Sequence, residues 1–201
     1  MSSASASAAV ADPGLEQLLS LTTPQDTCRG MFFNGLFEMV RVAGGDEARQ
    51  ECLVAAGSKR FVDFGSYPIA DLLKALFTAV DLLTPRLGRR EDILRRFGRQ
   101  ATEDFHSSTV GKTLTALAGT DPQRLLLNCP NSFRASMSYG ERSVHVLGER
   151  RIRLSARRDF MPLPYNEGVL LGALNRSAAR DVVVRGNRLS VLDVDYDVSW
   201  S

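Results

Sequence analysis

From Ser143 to Trp200, apolar and polar residues alternate in four short runs; before Ser143, apolar residues recur at intervals of three and four. The first spacing belongs to half-buried strands and the second to amphipathic helices, because side chains switch faces at each strand residue and return to one face about every 3.6 helix residues. In 151–158, Ile152, Leu154 and Ala156 alternate with Arg151, Arg153, Ser155 and Arg157. Val144 and Val146 share one side of the preceding run, 143–147, and Gly148-Glu149-Arg150 predicts a hairpin between the two. Val182-Val183-Val184 is a β-branched run suited to a covered strand, with Gly186-Asn187 as the hairpin turn after it. The last run is the most regular: Leu192, Val194, Tyr196, Val198 and Trp200 share one face, and Asp193, Asp195, Asp197 and Ser199 the other. Between the two hairpins the residues from Tyr165 to Ala178 predict a helix, with Pro164 at its start and Glu167 in its first turn. Gly168 and Gly172 give that helix a smooth stripe for close approach to a neighbour.

Upstream, Phe32, Phe33, Leu36, Phe37 and Val40 mark a helix over about 29–43, ended by Gly44-Gly45; Asp46 caps the next, to about Ala56. Phe61 to Gly65 reads as a connector. Ser66 or Tyr67 then caps the longest helix, with Pro68 in its first turn. Its stripe is Ile69, Leu72, Leu73, Leu76, Phe77, Val80 and Leu83, closed by Pro85 and Gly88. A further helix over about 90–105 carries Ile93, Leu94, Phe97, Ala101 and Phe105 on one side and arginines on the other. Ser107-Ser108-Thr109 caps a short helix, and Gly119-Thr120-Asp121-Pro122 reads as stop, cap and first turn of another, ended by Pro130. The expected fold is one α+β domain over 26–201: about six helices over 26–136, then a ββαββ unit over 140–200 forming an antiparallel sheet. Residues 1–25 form a disordered Ser/Ala-rich tail and a short lead-in, in which Leu15 to Leu19 makes a helical turn.

Composition narrows the function classes. A net charge of +2 on 201 residues gives no general pull toward nucleic acid. The three cysteines, Cys28, Cys52 and Cys129, form no CxxC pair, which points to buried thiols in a reducing cytoplasm. No apolar run reaches the length of a membrane span, and the start, MSSASASAAVADPG, lacks the positive charge and Leu-rich core of a signal peptide.

Several stretches carry a family resemblance: FVDFGSYPIADLLKAL, RLLLNCPNSFRASMSYGERSV, RRDFMPLPYNEGVLLGALNRSAARDVVV and LDVDYDVSW. They resemble a myxobacteria-restricted family of uncharacterised proteins, from which no activity carries over. On that resemblance Tyr67, Pro68, Pro130, Tyr139, Gly140, Pro162, Gly168, Tyr196 and Trp200 mark the fold, and Ser177 departs from the expected glycine. Helices followed by a sheet, with LSARRDFMPLPYNEGVLLGAL in the middle, are also similar to the haem-NO-binding, vinyl-reductase-like and TRAPP-like folds. That similarity implies a small-molecule sensor or an assembly module with an apolar cavity. Its haem-binding branch implies a Tyr-x-Ser-x-Arg motif and an axial histidine on the helix before the sheet. Here Ser155 and Arg157 match, the Tyr position holds Arg153, and Pro122–Cys129 contains no histidine. The expectation is therefore no haem, and no other cofactor.

The remaining constellations are weak. Cys52, Cys129 and His145 lack the paired spacing of a zinc site. His106 near Asp104, Ser107 and Ser108 has the residue types of a hydrolase triad without a nucleophile elbow, and reads instead as a helix C-terminal residue whose partly cationic ring suits the dipole. Gly111-Lys112-Thr113 lacks the earlier glycine and strand of a phosphate loop. Glu167 near Arg157 and Asp159 is an acid–base cluster in composition, and a salt bridge in the simpler reading. Arg142, Arg150, Arg151, Arg153, Arg157 and Arg158 crowd one hairpin, so Arg151, Arg153, Ser155 and Arg157 are the candidate anion- or ligand-binding residues. Asp193, Asp195 and Asp197 are expected to neutralise them across neighbouring strands. The reading is a cytoplasmic, non-enzymatic binding domain. It would engage a protein partner or a second copy of itself, with a small apolar ligand as a further candidate. The alternative is anion or nucleic-acid binding through the arginines, and behind that a haem or gas sensor.

Overall fold

A helical layer packs against one face of a four-stranded sheet in the computed structural model, which describes residues 12–58 and 60–201. The disorder expected for residues 1–11 lies outside the described residues. The chain opens with α1 (Leu15–Leu21), β1 (Thr27–Arg29), α2 (Met31–Gly44) and α3 (Asp46–Ala55), followed by β2 (Ser66–Pro68) and the long α4 (Ile69–Leu87). Next come α5 (Arg90–Ser107), α6 (Thr109–Ala118), α7 (Pro122–Leu127) and α8 (Cys129–Ser136). The unit after them is β3 (Glu141–Gly148), β4 (Arg151–Arg157), α9 (Leu163–Leu174), β5 (Val183–Arg188) and β6 (Val194–Ser199). Strand order is β3-β4-β6-β5, antiparallel throughout.

Amphipathic stripes explain the helical layer. Phe32, Phe33, Leu36, Phe37 and Val40 of α2 are buried, as is the α4 stripe except Phe77, which is half-buried. Phe33 stacks on Phe61 with ring centroids 4.0 Å apart, and Tyr67 meets both rings edge-on. Each large side chain so buried stabilises the fold by about 1.5–3 kcal/mol before entropy is counted. On the sheet, Ile152, Leu154, Ala156, Val194, Tyr196 and Val198 all turn inward, where Leu126, Leu170 and Leu174 meet them. The lead-in also packs on this body: Leu18 is buried, and Asp12 accepts from Arg188 Nε at 2.9 Å.

Helices α5 and α9 join the two layers with almost no side chain between them. A Cβ on Gly98 would lie 1.9 Å from the Tyr165 carbonyl oxygen, and one on Gly168 would lie 2.1 Å from that of Arg95. Gly168 thus sits in the smooth stripe that the sequence predicted. Gly172 faces Thr102, whose side chain a Cβ would approach to 3.0 Å.

Several local expectations are corrected. Gly186-Asn187 is not a turn: β5 runs through both, and the reversal comes over 189–193, closed by Leu189 N donating to Asp193 O at 2.8 Å. Gly186 is needed for space instead, since a Cβ there would lie 2.6 Å from Leu163 Cγ. Tyr67 and Pro68 belong to β2, paired with Cys28 and Thr27 of β1, and Pro68 is the residue preceding α4. Gly45, with φ at +92°, takes the N-cap position expected of Asp46, which is instead the first residue of α3. Pro130 opens α8, a helix the sequence did not predict, by occupying its first turn. Helix α9 begins after Pro162 and stops at Leu174, where Ser177 Oγ donates to the Leu174 carbonyl. Asp193 lies before β6 and accepts from the Arg158 backbone at 3.1 Å.

Candidate functional site

Two surfaces of the sheet compete for the role of binding site. The outer face carries the candidate arginines. Register places Arg153 opposite Asp197, and Ser155 opposite Asp195. Arg153 forks onto Asp197 at 2.7 and 3.0 Å, Arg151 reaches the same carboxylate at 3.3 Å, and Arg157 donates to Asp195 at 3.0 Å. These hydrogen bonds, that of Arg153 foremost, hold the Asp197 carboxyl below the ordinary range. Ser155 is buried on this face. The structure therefore brings Arg151, Arg153, Ser155 and Arg157 together, and spends the three guanidinium groups on two carboxylates. Exposed pairs of this kind contribute about 0.2–1 kcal/mol each; their larger effect is to cancel the field of the face.

The inner face borders an apolar cavity of about 140 Å³. Its walls come from Phe32, from Ala101 and Phe105 of α5, from Leu125 of α7 and Phe133 of α8, from Leu154 and Tyr196 of the sheet, and from Met161, Tyr165, Val169 and Leu170. Polar atoms are few. His106, in the last turn of α5, is only 9% exposed, and its Nδ1 is buried with no hydrogen-bond partner. Burial, and after it the nearby Arg176 charge, pushes the imidazole pKa below its usual value. The partly cationic ring expected at a helix C-terminus is therefore corrected to a neutral, buried one. Cys129 also lines the cavity, and burial pushes its thiol up to about 12, so it carries no thiolate.

A buried polar seam closes one side. Arg142 points inward, because it shares parity with Val144 and Val146, and it pairs with Asp159 at 2.9 Å. Their side chains are 6% and 0% exposed. The Arg142 guanidinium lies 3.7 Å from the Phe133 ring centroid. Asp159 also accepts from Met161 N at 3.1 Å and from Asn166. Glu167 takes neither Arg157 nor Asp159: it accepts from Arg95 Nε at 2.8 Å and from Gly186 N at 3.1 Å, tying α5, α9 and β5 together. Parity along β3 would have separated Arg142 from the outer arginines. Nothing local singled out Phe105, Phe133, Met161 and Tyr165 as neighbours, because they come from distant elements.

The other candidates do not assemble. His106 Nδ1 has no partner, so no triad forms with Asp104, and Ser108 instead accepts from Gly111 N to cap α6. Among the described residues, no group of three metal-ligating side chains forms; Cys52 lies in α3 and His145 on the outer face of β3. Of the fold-marking positions, Tyr139 packs edge-on against Phe133 and Phe160, and Gly140 adopts φ +64° where a Cβ would meet the Arg158 carbonyl. Tyr196 is wholly buried, and Trp200 is half-buried, its backbone N–H donating to Arg150 O at 3.3 Å. Among the described residues no helix is long and apolar enough to cross a membrane.

A helical layer closed by this antiparallel sheet is the fold of H-NOX proteins. An H-NOX protein from S. oneidensis in the Fe(II)NO state superposes with a TM-score of 0.69 at 18% identity, over 86% of this chain and 99% of that one. The Fe(II) unliganded H-NOX protein from K. algicida gives 0.67 at 11% identity, over 86% and 96%. A point variant of T. Tengcongensis H-NOX gives 0.67 at 11%, over 86% and 97%. Residues 21–201 match the family described as Protein of unknown function (DUF2378), and the chain belongs to that family. No curated protein is similar to it in sequence.

Haem is the group this fold implies, and the residues here do not fit it. Arg153, Ser155 and Arg157, the counterpart of the expected haem motif, lie on the sheet face opposite to Leu154 and the cavity, with the arginines held by carboxylates. Helix α7 carries no histidine. The cavity of about 140 Å³ is similar to an engineered cavity of about 150 Å³ that holds one benzene, whereas a tetrapyrrole has four pyrrole rings.

Proposed function

We propose that this protein is a non-enzymatic binding domain that holds a small, largely apolar ligand between the helical layer and the sheet. The supporting observation is the cavity of about 140 Å³, walled by aromatic and aliphatic side chains and carrying few polar groups. Apolar cavities of this size accept apolar guests. The occupied state would be read by a protein partner or a second copy of the chain. The pairing of the outer arginines with carboxylates supports this reading over anion or nucleic-acid binding through them.

Thermal unfolding with toluene as the probe tests this. At a concentration one hundred times Kd, a ligand that binds only the folded state adds about 2.7 kcal/mol. For a domain near this size that raises Tm by about 5–10 °C. Ala173→Phe, at the cavity wall, should abolish the rise. No rise at saturating toluene would refute the proposal. A stoichiometric Soret band after expression with added haem, lost in His106→Ala, would replace it with a haem sensor.

A further inference from the structure

A second recess, of about 350 Å³, lies on the far side of His106. It shares His106, Thr115, Leu125 and Ala173 with the apolar cavity, so the two spaces adjoin along one wall. Their chemistry differs. The recess carries Lys112 and Arg176. Lys112 is exposed and has no ion-pair partner among the described residues, while Arg176 holds Glu103 at 2.5 Å near the surface. With Glu103 counted, one cationic charge remains uncompensated. Between the two spaces stands the neutral His106 ring, with Nδ1 buried and unpartnered.

We infer that the ligand is an amphipathic carboxylate, with its alkyl chain in the apolar cavity and its carboxylate in the recess at Lys112 and Arg176; this rests on the cavity reading above. A wholly apolar guest would leave the buried imidazole unsatisfied, and a wholly polar one would wet the aromatic walls. A carboxylate satisfies both ends. Its oxygens accept from the Lys112 ammonium and the Arg176 guanidinium, and lie within the same recess as the imidazole. Lys112 and Arg176 stand on α6 and in the segment after α9, so headgroup binding would join two separate parts of the helical layer.

Calorimetric titration of the full chain with hexanoate, hexanol and toluene tests the assignment. Hexanoate should bind about tenfold more tightly than hexanol, the scale of charge-assisted hydrogen bonding. The double variant Lys112→Ala/Arg176→Ala should lose that preference and keep its affinity for hexanol and toluene. Shortening the chain from hexanoate to butyrate should cost about fourfold per methylene, the transfer contribution of a buried CH2. Equal binding of hexanoate and hexanol, or a preference that survives the double variant, overturns the carboxylate assignment while toluene binding leaves the cavity reading in place. Failure of all three probes to bind overturns both.

Discussion

Replacing Arg142 by methionine removes one half of an ion pair that is almost wholly out of water. The guanidinium and the Asp159 carboxylate are 2.9 Å apart, with side chains 6% and 0% exposed. The methionine still fills the space beside Phe133 but supplies no charge, so the carboxylate keeps only the Met161 N–H and Asn166 as donors. Stranding a buried charge in this way costs about 3–5 kcal/mol, far above the value of an exposed pair. The lost contact between guanidinium and ring lies within that figure, because the two interactions share the same group. For a domain of this size the loss corresponds to a fall in Tm of about 6–20 °C. Urea unfolding followed by circular dichroism, with the slope unchanged between variants, measures it. Arg142→Met/Asp159→Asn should be more stable than Arg142→Met alone, because the stranded charge is gone. If Arg142→Met costs less than about 1 kcal/mol, or if the two substitutions simply add, the seam is not a coupled buried pair and the reasoning fails.

Gly98→Ala should destabilise by more than the usual overpacking cost of about 1–3 kcal/mol, because the new methyl meets the Tyr165 backbone and not a side chain that can turn away; Gly14→Ala, with open space around it, is the control, and a comparable Tm loss in both would count against the close α5–α9 contact. Asp195→Asn/Asp197→Asn should release three arginines and create salt-sensitive retention on RNA or anionic vesicles, at about 0.2–1 kcal/mol per lost pair; retention of the wild type at physiological salt would contradict the neutral-face reading. Burial raises the Asp104 carboxyl to about 6, against the hydrogen bond from Gln100. The folded state thus binds the proton more tightly than the unfolded chain, so this group's contribution to stability is full below about pH 4 and falls by up to about 3 kcal/mol as pH rises to about 6. Asp104→Asn should remove that fall, seen as a flatter difference in stability between pH 4 and 7; an unchanged profile would show that the carboxyl titrates normally.

Local spacing was enough to place most elements. The three-and-four repeat of Phe32 to Val40 and of Ile69 to Leu83, and the alternation in 151–157 and 194–199, match α2, α4, β4 and β6, because which face a side chain takes depends only on its own helix or strand. The same parity anticipated the Arg–Asp rows, since both strands had to turn their apolar faces toward one helical layer. Gly186-Asn187 could not be read correctly, because its dipeptide suits a turn in isolation and only Leu163, more than twenty residues earlier, demands a missing Cβ inside a strand. Nor could Pro68 and Pro130 be placed, since proline suits the first turn, the end of a strand and the residue before a helix alike. The cavity, the solitary His106 and the burial of Arg142 against Asp159 were decided by tertiary structure alone. Each depends on which distant elements meet, and burial and electrostatic partners are properties of that meeting, not of the short stretch of chain in which a residue stands.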